Sequence, residues 1–474
     1  MSSEESYIFQ NQISKKAPML VKASGIHITY EDPATKKQHT VIDAMTGAAV
    51  GSLGYHDPDV IAAMKDAAET SNYSFGMYFG NYASEELSKF IISRSPKDHF
   101  ASCLWVGSGS EANENMMKIV KQYYNEIGET KRRKFISRLN AYHGFTIGAL
   151  SLGQGIRKAD FEDILLKEGD QCFKVSSCYP YHVINEEFTE ADYTKQLLDE
   201  LENKIVANDP DTIACVVLET VGGSSVGTVC PPAGYLDGVR ALCDKYGILL
   251  SLDEVMVGLG RAGAPYYHTY EKFMTSGKGP DLMTIGKTIA SGYATIAGVM
   301  ISPKVKKAIV SGSDAIAGAQ TYHCHEFNCK IALAVQKKLY EKDIIKTGGE
   351  AGQYLMDILK RDLKDSKIVG NVRGLPLFHS VEFCNPATKE PFDPSLKIAY
   401  RVHDKALENG ITTMGLSGSI GEFTTKDSKT LKCAGDHISV GPAYIITKSD
   451  AELIAKALVD AIKSVEKEIY PDSV

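Results

Sequence analysis

Between residues 101 and 301 the chain alternates short, almost wholly apolar runs with longer stretches of helical periodicity, and few architectures accommodate that rhythm. The runs Ala101–Val106, Lys134–Ser137, Thr212–Glu219, Ile248–Asp253, Leu282–Ile285 and Ala297–Ile301 read as strands, and Ile248–Asp253 and Leu282–Ile285 are apolar enough to be buried on both faces. The stretches Glu111–Ile127, Thr194–Ala207, Ala233–Tyr246 and Cys329–Glu341 repeat their apolar residues at helical spacing. Strands and helices in this order predict an α/β fold built on a large, mainly parallel sheet. Before about residue 70 and after about 345 the pattern changes to separate strand-plus-helix segments, such as Ile368–Phe383 and Lys448–Ile469. Residues 71–344 are therefore expected to form the large domain, and 1–70 with 345–474 a smaller α/β domain. The stretch Phe161–Glu190 fits neither period and is expected to be a long ordered excursion.

Open α/β sheets bind their ligands beyond the carboxyl ends of the strands. Three of the apolar runs end at that edge in a chemically useful residue: Glu219, Asp253 and, two residues past its run, Lys287. An amine and a carboxylate facing one site meet the needs of pyridoxal phosphate, with the lysine forming the Schiff base and the acid keeping the pyridine nitrogen protonated. The run Ala101–Val106 leads into Gly107-Ser108-Gly109-Ser110 and then a helix, so small residues deliver amide and hydroxyl groups at a helix N-terminus, a ready phosphate cup. In Tyr142-His143-Gly144 an aromatic ring could stack on a flat heterocycle while the glycine permits close approach.

Other features exclude rival classes. Gly258-Leu259-Gly260-Arg261-Ala262-Gly263 fits the dinucleotide fingerprint, but Pro265, Tyr266 and Tyr267 follow where a nucleotide-binding helix would have to open. His323-Cys324-His325 has no repeating ligand spacing, and no metal site is expected there. The net charge of −7 offers nothing to nucleic acid. The acidic N-terminus lacks the order of a signal peptide, and no apolar stretch reaches membrane-spanning length, so a soluble cytoplasmic protein is expected. Ten cysteines without a Cys-x-x-Cys pair are expected to be reduced, and the single tryptophan, Trp105, to pack in the core.

The order of these motifs resembles the class III aminotransferases of the ω-amino acid and amine type, which are fold-type-I pyridoxal-phosphate enzymes. The resemblance runs from Leu53-Gly54-Tyr55-His56-Asp57-Pro58 through Gly109-Ser110-Glu111-Ala112-Asn113-Glu114, Tyr142-His143-Gly144, Asp253-Glu254-Val255, Pro280-Asp281 and Lys287 to Gly435-Asp436-His437-Ile438. It implies a large, mainly parallel seven-stranded sheet, with Lys287 as Schiff-base lysine and Asp253 on the pyridine nitrogen. Ser108, Gly109 and Ser110 would hold the phosphate, Tyr142 and Val255 the two ring faces, and His143, Gly144 and Glu219 would border the cofactor. Thr321 falls where the family reaches the phosphate of a neighbouring subunit, which implies a homodimer with shared sites. The chain departs from the family at Cys324-His325-Glu326, at Met256 and at Ser439-Val440-Gly441-Pro442-Ala443, where an arginine for an α-carboxylate is absent. Lys432 is the candidate substitute cation, and Tyr78 a second substrate-side candidate. The expected activity is ping-pong transfer of an amino group from an amine or amino acid to a keto acid or aldehyde. An aminomutase, racemase or decarboxylase on the same scaffold is the alternative.

Overall fold

The computed structural model describes residues 6–9, 13–14, 16–153, 155, 157–417, 423–424, 430–431 and 435–471. Near the amino end, β1 (Met19–Ser24), β2 (His27–Glu31) and β3 (Gln38–Ile42) form an antiparallel sheet. The central sheet comprises β4 (Ser102–Val106), β5 (Lys134–Arg138), β6 (Cys172–Val175), β7 (Ile213–Glu219), β8 (Leu249–Glu254), β9 (Leu282–Ile285) and β10 (Ala297–Ile301), in the order β4-β10-β9-β8-β7-β5-β6. Pairing from β6 through β5, β7 and β8 to β9 is parallel. Only β10 runs against its neighbours β9 and β4, so the carboxyl ends of the other six strands share one edge. Every residue of β7 and of β8 is buried, as expected of strands with helices on both faces.

The seventh strand, β6, lies inside the stretch that fits neither period. Its pattern is interrupted by Lys174, which is nevertheless buried: its ammonium donates to Ser137 Oγ at 2.7 Å and to the carbonyls of Leu152 at 2.6 Å and Ser151 at 3.2 Å. Burial pushes this amine down to about 7. Helix boundaries shift from the periodic expectation where caps decide them. The helix expected from Thr194 begins at Glu190, because Thr189 and Asp192 form a capping box, and Gly247 at φ +66° ends the helix Tyr235–Tyr246. Helices Gly109–Glu126 and Glu326–Glu341 likewise start a few residues early.

Toward the carboxyl end, β11 (Val369–Leu375), β12 (Phe378–Phe383), β13 (Met414–Ser417) and, after a small hairpin of β14 (Phe423–Thr424) and β15 (Thr430–Leu431), β16 (Asp436–Val440) form a four-stranded antiparallel sheet ordered β11-β12-β16-β13. Helices Ile344–Asp362, Ile398–Glu408 and Lys448–Ile469 pack on it, and their apolar cluster takes in Ile26, Ile42 and Ala44 from the amino end. Arg261 joins segments that are far apart in the chain. Wholly buried, it donates to the carbonyls of Ala49 at 2.6 Å, Leu377 at 2.8 Å and Pro442 at 3.1 Å, with Tyr444 beneath its guanidinium. The glycine-rich loop around it is a packed turn with Leu259, Gly260 and Gly263 at positive φ, and a Cβ at Gly260 would lie 2.8 Å from Ile345. Trp105 is buried and donates to Ser88 Oγ at 2.9 Å. No helix among the described residues is long and apolar enough to cross a membrane.

Candidate active site

The carboxyl edge of the central sheet opens into a cavity of ≈ 320 Å³ bordered by Ser108, Gly109, Ser110, Tyr142, His143, Gly144, Glu219, Asp253, Val255 and Lys287. Ten sequence-derived candidates thus surround one space. β9 ends at Ile285, and Lys287 starts a single 3-10 turn with φ +47°, a left-handed conformation that costs a non-glycine residue about 1–3 kcal/mol. Burial pushes its amine down to about 8, against the pull of Asp253, and the nearby charges of Arg261 and Arg157 act in the same direction as burial. At this value about a tenth of the amine is unprotonated at pH 7, far more than in an ordinary lysine, and the unprotonated form is the one a nucleophile or base requires.

Asp253 lies beside Glu219 in the β7–β8 register. Its Oδ2 accepts from Asn113 Nδ2 at 2.9 Å and bonds His143 Nδ1 at 2.8 Å, while its Oδ1 accepts from the Val255 amide at 3.0 Å. Asn113 also donates to the His143 carbonyl at 2.7 Å, so one side chain braces both the acid and the histidine that touches it. Glu219 accepts from the Gly223 amide at 3.0 Å, and burial raises its carboxyl, opposed by His143 and Arg138. The following acid, Glu254, faces the other way. It is bound by Thr220 Oγ1 at 3.0 Å and the amides of Thr269 at 2.9 Å and Tyr270 at 2.5 Å, and burial pushes it up to about 7.

Ser108 caps the helix Gly109–Glu126 by accepting from the Glu111 amide at 3.2 Å. This presents a helix N-terminus, with its partial positive charge, to the cavity. Space is tight around it. A Cβ at Gly109 would lie 2.7 Å from Val255, and one at Gly144, where φ is +135°, would lie 2.6 Å from Ser110 Oγ. The latter hydroxyl accepts from the Phe145 amide at 2.9 Å, which fixes Tyr142-His143-Gly144 against the helix start. Tyr142 carries the Arg157 guanidinium 4.8 Å from its ring centroid.

Two candidates fall elsewhere. Thr321 is exposed and outside this cavity, and Tyr78 is exposed on the segment Tyr73–Tyr82, edge-on to Phe75. Lys432 lies outside the described residues. Asn113, Arg157, Ser224 and the segment 294–296 escaped the sequence reading, although Ser224 and residues 294–296 border the cavity. Asn113 had a readable signal, since it is one helical turn beyond Gly109 on the same face. Arg157 had none, because it follows no motif. Among the described residues the one cluster with metal-ligand proximity is His182, Glu382 and Cys384, and there Arg373 already pairs with Glu382.

A buried amine opposite a braced acid, at the carboxyl edge of this sheet, places the molecule among the fold-type-I transferases. More specifically, the chain belongs to the class-III aminotransferases, whose family profile matches residues 11–462. It is 38% identical over 427 residues to an aminotransferase of Gibberella zeae, covering 89% of this chain and 80% of the relative. It is also 33% identical over 465 residues to an uncharacterized aminotransferase of Schizosaccharomyces pombe, covering 98% and 96%. An omega transaminase of Pseudomonas jessenii, solved in complex with PMP, superposes with a TM-score of 0.86 at 25% identity, covering 96% of this chain and 94% of that one. Class-III aminotransferases depend on pyridoxal phosphate, and this protein is an enzyme of that kind.

Proposed function

We propose that the cavity is the transamination site and that its residues divide the work as their geometry suggests. The carrying observation is the Lys287 amine, lowered to about 8, sharing one cavity with an Asp253 carboxylate that takes hydrogen bonds from three directions. The residues present fit pyridoxal phosphate. A helix N-terminus with Ser108, Gly109 and Ser110 suits a dianion, Tyr142 and Val255 suit the two faces of a flat ring, and Asp253 suits a protonated ring nitrogen. When bound, the cofactor supplies an aldehyde to carry the amino group and a ring that draws electrons from the substrate Cα. Lys287 Nζ would take the proton from the donor's Cα in the first half-reaction and give one to the Cα of the product amine in the second. Asp253, held in place by His143 and Asn113, would accept from the protonated ring nitrogen and so hold its charge. Glu219 borders the same floor.

The same reading extends to the assembly. Met77, Tyr78, Phe79, Tyr82 and Tyr322 expose large apolar surface on the segments that also carry Thr321. Such contiguous exposure supports a second copy of the chain covering this face, with Thr321 directed to the partner's cofactor and Tyr78 to its substrate. We place the protein in the cytoplasm, as a homodimer. The domain division at 70/71 and 344/345 belongs to this proposal too, and the apolar cluster shared by Ile26, Ile42 and the carboxyl-terminal helices supports it.

The test is the absorbance of the purified protein with pyridoxal phosphate, followed while amines and amino acids are added without an acceptor. Conversion of the yellow form by a donor, reversed by a keto acid, is the expected result. A protein that never turns yellow would overturn the assignment of Lys287.

A further inference from the structure

The chain lacks an arginine at Ser439-Val440-Gly441-Pro442-Ala443, yet a guanidinium stands beside the cavity from another direction. Arg157 lies 4.8 Å from the Tyr142 ring centroid and donates through Nη1 to Ser225 Oγ at 2.7 Å. Arg157 and Ser225 do not themselves line the cavity, but Tyr142 and Ser224, the residue before Ser225, do, and the Arg157 charge is felt by the Lys287 amine, so the guanidinium sits just beside the cavity wall. Among the described residues Arg157 makes no ion pair, whereas Arg132, Arg240 and Arg373 are each matched with a carboxylate. It is only half-buried and spends one donor on Ser225, leaving the rest of its planar fork for an incoming group. A fork of this kind takes a carboxylate through two parallel hydrogen bonds, and stacking on an aromatic face fixes the plane in which it can do so.

We propose that Arg157, aligned by Tyr142 and Ser225, is the subsite for the substrate carboxylate, and that the enzyme therefore selects carboxylate-bearing donors and acceptors over plain amines and aldehydes. This rests on the transamination reading given above. Donor and acceptor occupy the site in turn, so one cation serves the amino acid in the first half-reaction and the keto acid in the second.

The experiment compares the holoenzyme with Arg157→Met, Arg157→Lys and Ser225→Ala. The first half-reaction is followed by loss of the yellow form, with alanine, β-alanine and 4-aminobutanoate each set against the alkylamine that lacks its carboxylate. The second is followed by return of the yellow form, with a keto acid set against the matching aldehyde. The wild type is expected to favour the acid of at least one pair, and Arg157→Met to reduce that acid-to-amine preference about 10- to 100-fold. Arg157→Lys, which keeps the charge without the fork, should lose less, and Ser225→Ala least. Should Arg157→Met fail to fold, the lysine and serine variants carry the same comparison. A preference unchanged in the variants, an equal fall for acid and amine, or a wild type indifferent to the carboxylate would overturn the proposal. A fall in cofactor capture alone would also overturn it, because the arginine would then serve the phosphate. A wild type that reacts with no donor at all would instead remove the transamination reading beneath it.

Discussion

The last two residues of β8 put two acids side by side in sequence and on opposite faces of one sheet. Asp253 meets the cavity, and its partners are the side chains of Asn113 and His143 together with the Val255 amide. Glu254 meets the interior, where Thr220 and the amides of Thr269 and Tyr270 hold it. Alternation along a strand assigns the faces, but the partners assign the roles. The interior acid anchors the loop that follows β8. The cavity acid is braced by groups whose own positions depend on the helix start at Gly109 and on the turn at Gly144, so its direction is tied to the site. Burial of an acid at a strand end is therefore not by itself a sign of catalysis.

The largest effect that would break this contrast lies across the cavity. Lys287→Ala should lower turnover by about a thousandfold or more while cofactor still binds, as read by steady-state rates beside absorbance. Appreciable transamination by that variant would mean that another group carries the proton. Asp253→Asn should reduce the rate by about 100-fold or more with little change in folding, whereas Glu254→Gln should leave the rate near that of the wild type. Equal losses in the two would erase the distinction between the faces. Asn113→Ala should cost about 1–3 kcal/mol of stability by stripping a donor from buried Asp253, measured as a shift in denaturant midpoint.

The smallest effect sharpens the comparison through pH. Glu254 has its folded pKa raised from 4.5 to about 7, so within that window the folded chain holds a proton that the unfolded chain has released. Its contribution to stability is fully present below about 4.5 and is lost as the pH rises through about 7. Melting temperatures of the wild type should therefore decline from pH 4.5 to 7 relative to Glu254→Gln, and parallel profiles would refute the interior reading.

Six of the seven central strands were legible because each carries an apolar core, as short as Phe135-Ile136 in β5, in alternation with helical stretches. β6 was hidden by Lys174, whose ammonium is satisfied by carbonyls and a hydroxyl that no local pattern reveals. Lys287, Asp253 and Glu219 were legible because strand ends announce themselves, and the glycine-rich helix start because its turn chemistry is local. Asn113 was in plain view inside a quoted motif, but its role depends on Asp253, 140 positions away. Arg157 lies outside every motif and periodic run named above, so only three dimensions could bring it to Tyr142.

The reversed strand β10 has a consequence for how this enzyme can vary. Because β10 is antiparallel to β9, the chain returns through the short connection 286–296 instead of a crossover helix, and that connection carries Lys287 at one end and the cavity-bordering residues 294–296 at the other. Lys287 and the wall at 294–296 are thus the two ends of one peptide, each placed by the strand it adjoins. Antiparallel neighbours can be joined by as few as two residues, so the middle of this longer connection can change and reshape the space between its ends without moving the amine.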